Sequence, residues 1–499
     1  MDEFYLSQTV AITTLLATTI IFAGIGIYYS RGKISISSYL TANRSIGRKS
    51  LTASLTASCF GVWILVGPSE AATWGGLGAV IGYALGQALP FLAFITIGKR
   101  MRKIMPEGNS LTQFVLIRFG EAMFKLVLAL SLFYMFVYLC AEVTAIAKIT
   151  NLISGFPLWQ TSLLIIASTL IYTLYGGLRA SIFTDKIQFI IIFIFLILAI
   201  YQVFVAETNS YSVELIKEKA GVLISGKYFY GYTAGLTFFI AVFATNLFDQ
   251  GVWQRVYAAK TNEDLAVGFT SAFFVILPFL LILGFFGILA VTLGNAKDPS
   301  TVFFSLLLNP MTGYNSILTI SILVLALSLV ISSMDTLINA ISSLIIINGS
   351  KFLKLNTKAL KVLSYYLLII LSCVVFLIAS KGYSVLFMFL FADLLCCAAV
   401  FPVFYGMFNQ NISKKLALYS VISGLILGLL LFPDQTFTKS ILIGNILPSD
   451  YFPSFITSAL LFWSFVLATF IPIVVIYVFN KKRKLFDFRQ IHEKVKNTR

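Results

Sequence analysis

Seven polar residues fall inside one apolar stretch, LVISSMDTLINAISS, at positions 329–343. They are Ser332, Ser333, Asp335, Thr336, Asn339, Ser342 and Ser343. Polar side chains in hydrocarbon cost free energy, so they are retained where partners or ligands need them. Hard cations take oxygen ligands, and two adjacent hydroxyls can converge on one ion held against a second helix. The pair Ser332 and Ser333 therefore predicts half of a site for a small monovalent cation.

Helix packing is a second interpretation of this stretch. One helix face carries four of its residues, spaced by four, three and four positions: Ser332, Thr336, Asn339 and Ser343. Small hydroxyl residues let membrane helices approach closely and hydrogen-bond across the interface. Packing accounts for Ser342 and Ser343, whereas the adjacent hydroxyls at 332 and 333 are better explained by a cation.

The segment TASCFGVWILVGPSEA (56–71) is a second candidate for cation coordination. Gly61, Gly67 and Pro68 lie in the middle of an otherwise apolar span, with Glu70 close by. The pattern favours a discontinuous helix, and carbonyls freed at such a break coordinate cations in secondary transporters.

Six acidic residues lie at or near membrane depth: Glu70, Glu142, Asp185, Asp249, Asp335 and Asp393. An ionisable residue inside a membrane is a functional candidate by default. Three of them have a plainer alternative. Asp335 is equally compatible with the inner mouth of its helix, Glu142 with the external surface, and Asp393 with a structural contact between helices.

The composition indicates that these residues belong to a membrane protein. Of 499 residues, 59% are hydrophobic and 11% are charged, whereas soluble domains carry about a quarter charged residues. The net charge of +16 marks cytoplasmic loops rather than a nucleic-acid surface. The five cysteines lack metal-site spacing and the one histidine, His492, lies in the basic tail, which argues against an enzyme or a His/Cys metal site. No ring or repeat typical of a channel pore is visible.

Hydropathy predicts an all-α protein of thirteen transmembrane helices. The predicted spans are 7–30, 51–73, 76–98, 126–147, 160–177, 187–206, 231–250, 267–293, 316–348, 362–380, 384–408, 416–433 and 453–479. Alternate loops hold 29 of the 36 lysines and arginines, which places the N-terminus outside and the C-terminus in the cytoplasm. The first span follows acidic residues rather than a basic segment, so it is predicted to be retained and not cleaved as a signal peptide.

The chain is predicted to form one transporter domain over residues 1–499. Its core comprises residues 51–408, with peripheral helices at 7–30, 416–433 and 453–479 and a basic cytoplasmic tail at 480–499. The external loop 207–230 has room for a short amphipathic helix and not for a domain.

Four patches, in order, resemble the sodium:solute symporter family. They are TASCFGVWILVGPSEA at the broken helix, YTLYGGLRASIFTDKIQ (172–188), DQGVWQRVYAAKTNEDL (249–265) and ISSMDTLINAISS (331–343). The resemblance implies the leucine-transporter type of fold, in which spans 2–6 and 7–11 form inverted five-helix repeats.

The resemblance also implies a set of sodium ligands. In the family the cation is held by two carbonyls of the second span, here those of Ala57 and Phe60. The ninth span adds the carbonyl of Leu329 and the hydroxyls of Ser332 and Ser333. Asp185 matches an aspartate on the family's sodium exit route.

Two residues depart from the family pattern near the implied substrate site. Cys59 stands where proline carriers have an acidic residue, and Asp249 stands where sugar carriers have an asparagine. A carboxylate at Asp249 favours an amine, an amide N–H donor or a proton-linked step. The loop MPEGNSLTQFVLIRFG (105–120) resembles the urea and polyamine branch. The residues predicted to contact the solute are Cys59, Trp63, Glu70, Asp249 and Gln250.

These patterns predict a sodium-coupled importer of a small polar organic solute, working by alternating access in the cell membrane. Urea, an amino acid such as proline, an amine, a small carboxylate and a pantothenate-like compound remain open as solutes, and a sugar fits Asp249 less well. Sodium is the expected coupling ion and no organic cofactor is expected. The alternative is a proton-coupled carrier of the same fold that uses Asp249 or Glu142.

Overall fold

A computed structural model describes residues 4–29, 36–206, 212–296, 298–308, 316–352, 356–443, 453–480 and 485–491. Within these ranges the chain is helical, and extended backbone pairs only at two isolated bridges, Ile46 with Ala259 and Pro433 with Ser440. The first helices are α1 (Gln8–Tyr29), α2 (Ile36–Thr41), α3 (Arg48–Cys59), α4 (Trp63–Ile104), α5 (Leu111–Phe119) and α6 (Glu121–Ser154). The next are α7 (Leu158–Tyr201), α8 (Val213–Ala220), α9 (Phe229–Asn246), α10 (Gln250–Ala258), α11 (Asn262–Thr292) and α12 (Val302–Leu307). The last are α13 (Ser316–Phe352), α14 (Thr357–Ala379), α15 (Val385–Phe408), α16 (Lys414–Leu431), α17 (Ser454–Thr457) and α18 (Leu460–Phe479).

Two of the predicted spans are interrupted inside the bundle. The second span is divided between α3 and α4, which are separated by residues 60–62. The seventh is divided between α9 and α10, which meet at an angle of 53°. A discontinuous second span was predicted, and the seventh span occupies the corresponding place in the second half of the chain.

Two long helices contain a sharp turn at a glycine. Gly76 in α4 has φ 56° and Gly177 in α7 has φ 61°, a left-handed conformation that is open to glycine and costly for other residues. A Cβ at Gly76 would also overlap the backbone of Leu223. Each of these helices therefore consists of two segments that run in different directions.

The described helices agree with the predicted spans in place and order. Ten are long and apolar enough to cross a membrane, or eleven with the bent pair α9–α10 counted as one span. When α4 is divided at Gly76 and α7 at Gly177, the resulting segments match the remaining predicted spans. The second predicted span corresponds to α3 together with the part of α4 before Gly76. The number of crossings and the orientation of the termini stay predictions.

Glycine residues allow a close helix contact between α4 and α9. A Cβ at Gly78 would overlap the carbonyl of Gly231, and one at Gly82 would overlap the carbonyl of Gly235. Small residues allow such backbone-to-backbone approach between membrane helices. The contact holds the helix that follows the first break against α9, the first half of the second broken span.

Replacing Gly82 with alanine is expected to destabilise this contact, because the added methyl group meets backbone and not a movable side chain. Overpacking of this kind costs about 1–3 kcal/mol, and the thermal unfolding midpoint of the purified protein should fall by several degrees. Gly24→Ala in α1 is the matched control, since its Cβ would meet nothing within 4 Å. Equal midpoints for the two variants would contradict the packing role of Gly82.

Part of the C-terminal tail folds back on the helix ends. The backbone N–H of Phe486 donates to the carbonyl of Gln410 at 3.1 Å, and Ile491 is fully buried. Arg118 lies 4.6 Å from the centre of the Phe486 ring and Arg100 lies 4.9 Å from that of Phe488. Residues 481–484 and 492–499 of the predicted basic tail lie outside the described residues.

Candidate functional site

The break between α3 and α4 releases two backbone carbonyls. In a continuous helix the N–H of Gly61 would bond Ala57, and the N–H of Ile64 would bond Phe60. Instead, Gly61 N–H donates to Cys59 O at 3.1 Å and Ile64 N–H donates to Gly61 O at 3.2 Å. The carbonyls of Ala57 and Phe60, which are the two predicted sodium ligands of this segment, thus lose their helical partners.

Glu142 of α6 joins the break to α13. Its carboxylate accepts hydrogen bonds from the backbone N–H groups of Val62 at 2.9 Å and Trp63 at 3.2 Å. It also accepts one from the hydroxyl of Ser333 at 2.5 Å. Gly61 makes room for this arrangement, because a Cβ there would overlap the carboxylate. Glu142 is fully buried, so the alternative that placed it at the external surface is wrong.

Asp185 makes the second connection to α13. Ser332 donates its hydroxyl to Asp185 Oδ1 at 2.9 Å, and Ser54 of α3 donates to Oδ2 at 2.6 Å. Arg255 of α10 forms an ion pair with Oδ2 at 2.8 Å, and both side chains are fully buried. The same guanidinium also donates to Thr336 Oγ1 at 3.1 Å. One carboxylate therefore holds four helices together, namely α3, α7, α10 and α13.

The two serines predicted to bind the cation are thus oriented by buried carboxylates on either side. A hydroxyl has one donor and two lone pairs, so Ser332 and Ser333 keep lone pairs available while they donate to Asp185 and Glu142. The hydroxyl of Ser333 is also 3.2 Å from the carbonyl of Leu329. Asp185 contacts Ser54 and Glu142 contacts Val62. Ala57 and Phe60 lie between these two residues in the sequence.

Asp335 is buried between helices, with 2% of its surface exposed. Its location relative to the inner mouth stays a prediction. Its carboxylate accepts hydrogen bonds from Asn339 at 2.7 Å and from Thr184 at 3.3 Å. Asp335 therefore bridges α13 and α7, next to the ion pair of Asp185.

A cavity lies between the two broken spans. Sixteen residues line it: Ser58, Cys59, Trp63, Tyr83, Gln87, Phe91, Tyr134, Tyr138, Val242, Thr245, Asn246, Asp249, Val252, Thr336, Phe389 and Asp393. Three of the five residues predicted to contact the solute, Cys59, Trp63 and Asp249, are among them. The other two lie elsewhere: Glu70 approaches Ser384 at 3.4 Å, and Gln250 donates to the carbonyl of Asn109 at 3.0 Å.

The lining combines aromatic rings with two carboxylates. Trp63 stacks on Tyr83 with ring centres 5.7 Å apart, and its indole N–H donates to the hydroxyl of Tyr138 at 2.7 Å. Asp249 caps α10, since its Oδ1 accepts from the N–H of Gly251 at 2.6 Å. The second carboxylate is that of Asp393. Within the described part of the chain, no lysine, arginine or histidine lines this cavity.

Sequence reasoning missed several residues of this cavity. Gln87 and Asn246 form a reciprocal amide pair, at 2.9 Å and 3.2 Å, and Gln87 also donates to Cys59 Sγ at 2.9 Å. The pair joins α4 to the end of α9, and through Cys59 to the first break. Two features of the sequence point to these residues: Gln87 lies inside an apolar run, and Asn246 lies directly before the second break.

The comparisons with known proteins agree with this architecture. The model of the sodium:solute symporter family matches residues 39–424. The chain is 29% identical over 260 residues to the spermidine transporter DUR31 of Candida albicans, covering 52% of this chain and 48% of that protein. It is 28% identical over 291 residues to the sodium/glucose cotransporter of Vibrio parahaemolyticus, covering 53% of this chain and 52% of the relative. The chain thus spans about half the length of the curated relatives it matches.

Two solved structures share the fold. A sodium-coupled sialic acid symporter in its substrate-bound outward-open state superposes with a TM-score of 0.73 at 14% identity, covering 95% of this chain and 99% of that one. Mhp1, a transporter of the nucleobase-cation-symport-1 family, superposes with a TM-score of 0.57 at 15% identity, covering 92% of this chain and 99% of Mhp1.

These matches confirm the predicted all-helical class of membrane transporter fold. All four proteins are transporters, in agreement with the prediction of a multi-pass membrane carrier rather than an enzyme. Because the family model covers residues 39–424, the chain belongs to the sodium:solute symporter family.

Proposed function

We propose that the protein imports a small organic amine together with sodium, by alternating access across the cell membrane. The observation that carries this proposal is the cavity between the broken spans. Among the residues that the structure describes, its lining holds two carboxylates and several aromatic rings but no basic side chain. Such a lining suits a cation and disfavours an anion such as pantothenate.

The substrate class follows from the chemistry of the lining. An ammonium group is attracted to the faces of Trp, Tyr and Phe rings, an interaction worth about 2 kcal/mol or more when desolvated. Asp249 uses Oδ1 to cap α10, and its Oδ2 makes no hydrogen bond to the described part of the chain. This free oxygen is suited to an amine N–H donor. The relative named as a spermidine transporter supports the same class.

The proposed sodium site consists of the carbonyls of Ala57, Phe60 and Leu329 with the hydroxyls of Ser332 and Ser333. Three observations support it: the released carbonyls at the break, the two oriented hydroxyls and the carboxylates behind them. Sodium leaves toward the cytoplasm past Asp185, the residue predicted for the exit route. The buried carboxylates of Asp185 and Glu142 orient the two hydroxyls that are proposed to bind the cation.

Coupling follows because both ligands contact the same broken segment. Ala57 and Phe60 offer carbonyls to sodium, while Cys59 and Trp63 line the solute cavity. An ion that orders the break in one state also positions Trp63 in that state. Since a ligand shifts an equilibrium only by its difference in affinity between states, sodium must bind the solute-competent state more tightly.

A thermal-shift screen of the purified protein tests both ligands. Spermidine, urea, proline and pantothenate are compared in buffers with sodium or with potassium as the only alkali cation. A true substrate stabilises the protein by mass action, and more strongly with the coupling ion. We expect spermidine to raise the unfolding midpoint, and to raise it further in sodium. If urea, proline or pantothenate stabilised the protein and spermidine did not, the amine assignment would be overturned.

Uptake into proteoliposomes separates sodium coupling from proton coupling. We expect accumulation of labelled spermidine to require an inward sodium gradient. Accumulation that follows the pH gradient and ignores sodium would instead support a proton-coupled carrier that uses Asp249 or Glu142.

Replacing Ser332 or Ser333 with alanine is expected to raise the sodium concentration for half-maximal uptake by about tenfold. The reason is that each variant loses one ligand oxygen, and hydrogen bonds or contacts to charged groups contribute about 1.5 kcal/mol or more. Ser328→Ala is the control, because in the described part of the chain that buried hydroxyl bonds the carbonyl of Val324 in its own helix and no other group. Equal sodium dependence in all three variants, measured at equal protein in the membrane, would contradict the proposed site.

A further inference from the structure

A second concave site lies at the predicted cytoplasmic ends of the helices, away from the solute cavity. It is a cavity of about 690 Å³ at the surface. Six basic residues line it, from three separate segments of the chain: Arg44, Lys99, Arg100, Arg102, Lys103 and Lys260. Pro106 and Asn262 complete the lining, in which no acidic residue is found among those that the structure describes. We refer to it as the basic pocket.

Arginine side chains of the basic pocket donate hydrogen bonds to backbone carbonyls of the protein. Arg102 donates to the carbonyls of Val256 at 3.1 Å and Ala259 at 2.8 Å. Arg44 donates to the carbonyls of Pro106 and Gly108. These bonds fix the walls, since they join the end of α4 and the loop after it to the end of α10 and the segment after α2.

The three lysines are available to a ligand. Lys99, Lys103 and Lys260 are exposed, and their ammonium groups make no hydrogen bond or ion pair within the described part of the chain. Two of them come from the end of α4 and one from the connection between α10 and α11. Cations gathered in one pocket repel one another, and a bound anion would relieve that repulsion.

The backbone beside the pocket supports a built site rather than a loose run of charge. Ala42, Asn43 and Arg44 all have positive φ, at 48°, 54° and 53°. Residues other than glycine adopt this conformation at a cost and hold it where surrounding contacts impose it. Here the turn directs Arg44 to the carbonyls of the loop after α4. Basic residues that only mark topology need no such convergence.

We propose that the basic pocket binds the phosphate headgroup of an anionic phospholipid of the cytoplasmic leaflet. Basic pockets between membrane helices on this side are suited to phosphate headgroups, and lysine ammonium groups bind phosphate as point charges. The headgroup would join α4, which follows the first break, to α10, the inner half of the second broken span. This site is independent of the identity of the transported solute.

Native mass spectrometry of the purified full-length protein tests the proposal. Phosphatidylglycerol is titrated in detergent, with phosphatidylcholine as the neutral comparison. We expect one phosphatidylglycerol to bind preferentially, and the triple variant K99A/K103A/K260A to lose affinity at least tenfold, because each lysine near an anionic surface contributes roughly a fivefold factor. The variant K99R/K103R/K260R should retain binding, which would show that the protein tolerates changes at these exposed positions.

The control is K49A/K414A/K415A, which removes the same charge from other loops on the predicted cytoplasmic face. If both alanine triples lose affinity equally, diffuse surface charge binds the lipid and the proposal fails. Equal binding of phosphatidylcholine would also overturn it. Inorganic phosphate is titrated in a third arm, and a phosphate affinity equal to that of phosphatidylglycerol would assign the pocket to a soluble anion instead.

Discussion

Replacing Asp249 with asparagine is expected to weaken amine binding by about 10- to 150-fold. Hydrogen bonds to charged groups contribute about 1.5–3 kcal/mol, and the substitution removes the charge that would pair with the ammonium group. The fold should be preserved, because asparagine caps a helix about as well as aspartate and its side-chain oxygen can still accept from Gly251 and Val252. Binding of labelled spermidine to the purified protein measures the effect.

The matched control for this substitution is Asp264→Asn. Asp264 also lies at the start of a helix, where its carboxylate accepts from Thr261 at 2.7 Å, but it is absent from the cavity lining. We expect spermidine binding by this variant to equal that of the wild type. An Asp249→Asn protein that binds spermidine with unchanged affinity would remove Asp249 from the solute site.

Replacing Asp185 with alanine is expected to cause the largest loss of stability, about 3–5 kcal/mol, because it leaves the charge of Arg255 buried without its partner. The double variant Asp185→Ala/Arg255→Leu should be destabilised by less than the sum of the two single variants. The reason is that removing both charges leaves neither one isolated in the interior. Denaturant unfolding of the purified proteins in detergent gives the free energy of unfolding of the wild type and of the three variants.

An exposed ion pair provides the control for this cycle. Lys125 and Glu121 approach to 2.7 Å, with both side chains 63% exposed, and solvent-exposed pairs of this kind contribute at most about 1 kcal/mol. Lys125→Ala should therefore change stability little. If Asp185→Ala proved as mild as Lys125→Ala, the buried pair would not hold the helices together.

The first break shows how far local sequence can locate a structural feature. The residue pattern predicted an interruption and named Gly61, Gly67 and Pro68. The helix ends at Cys59 and resumes at Trp63, so only Gly61 of the three lies in the interruption, and α4 continues through Gly67 and Pro68. Gly67 has a different role, because a Cβ there would lie 2.8 Å from the hydroxyl of Tyr83. Membrane helices tolerate proline where neighbours satisfy the freed backbone groups.

The acidic residues show where local sequence is insufficient. Their types and their position in apolar spans marked Glu142, Asp185 and Asp335 as candidates, but alternatives stayed open for Glu142 and Asp335. Both are buried, and their partners include residues far away in the chain: Ser333 lies 191 positions from Glu142, and Thr184 lies 151 positions from Asp335. No pattern within one segment encodes such a contact.

The sequence by itself determined the membrane class, the order of the spans, the broken second span and the serine pair, because hydropathy, charge and residue type act locally along the chain. Only the tertiary structure decided which carboxylate orients which hydroxyl, that Gln87 and Asn246 line the cavity between the broken spans, and that six basic residues from three segments converge. These features depend on which helices pack together, and packing brings together residues that are distant in the chain.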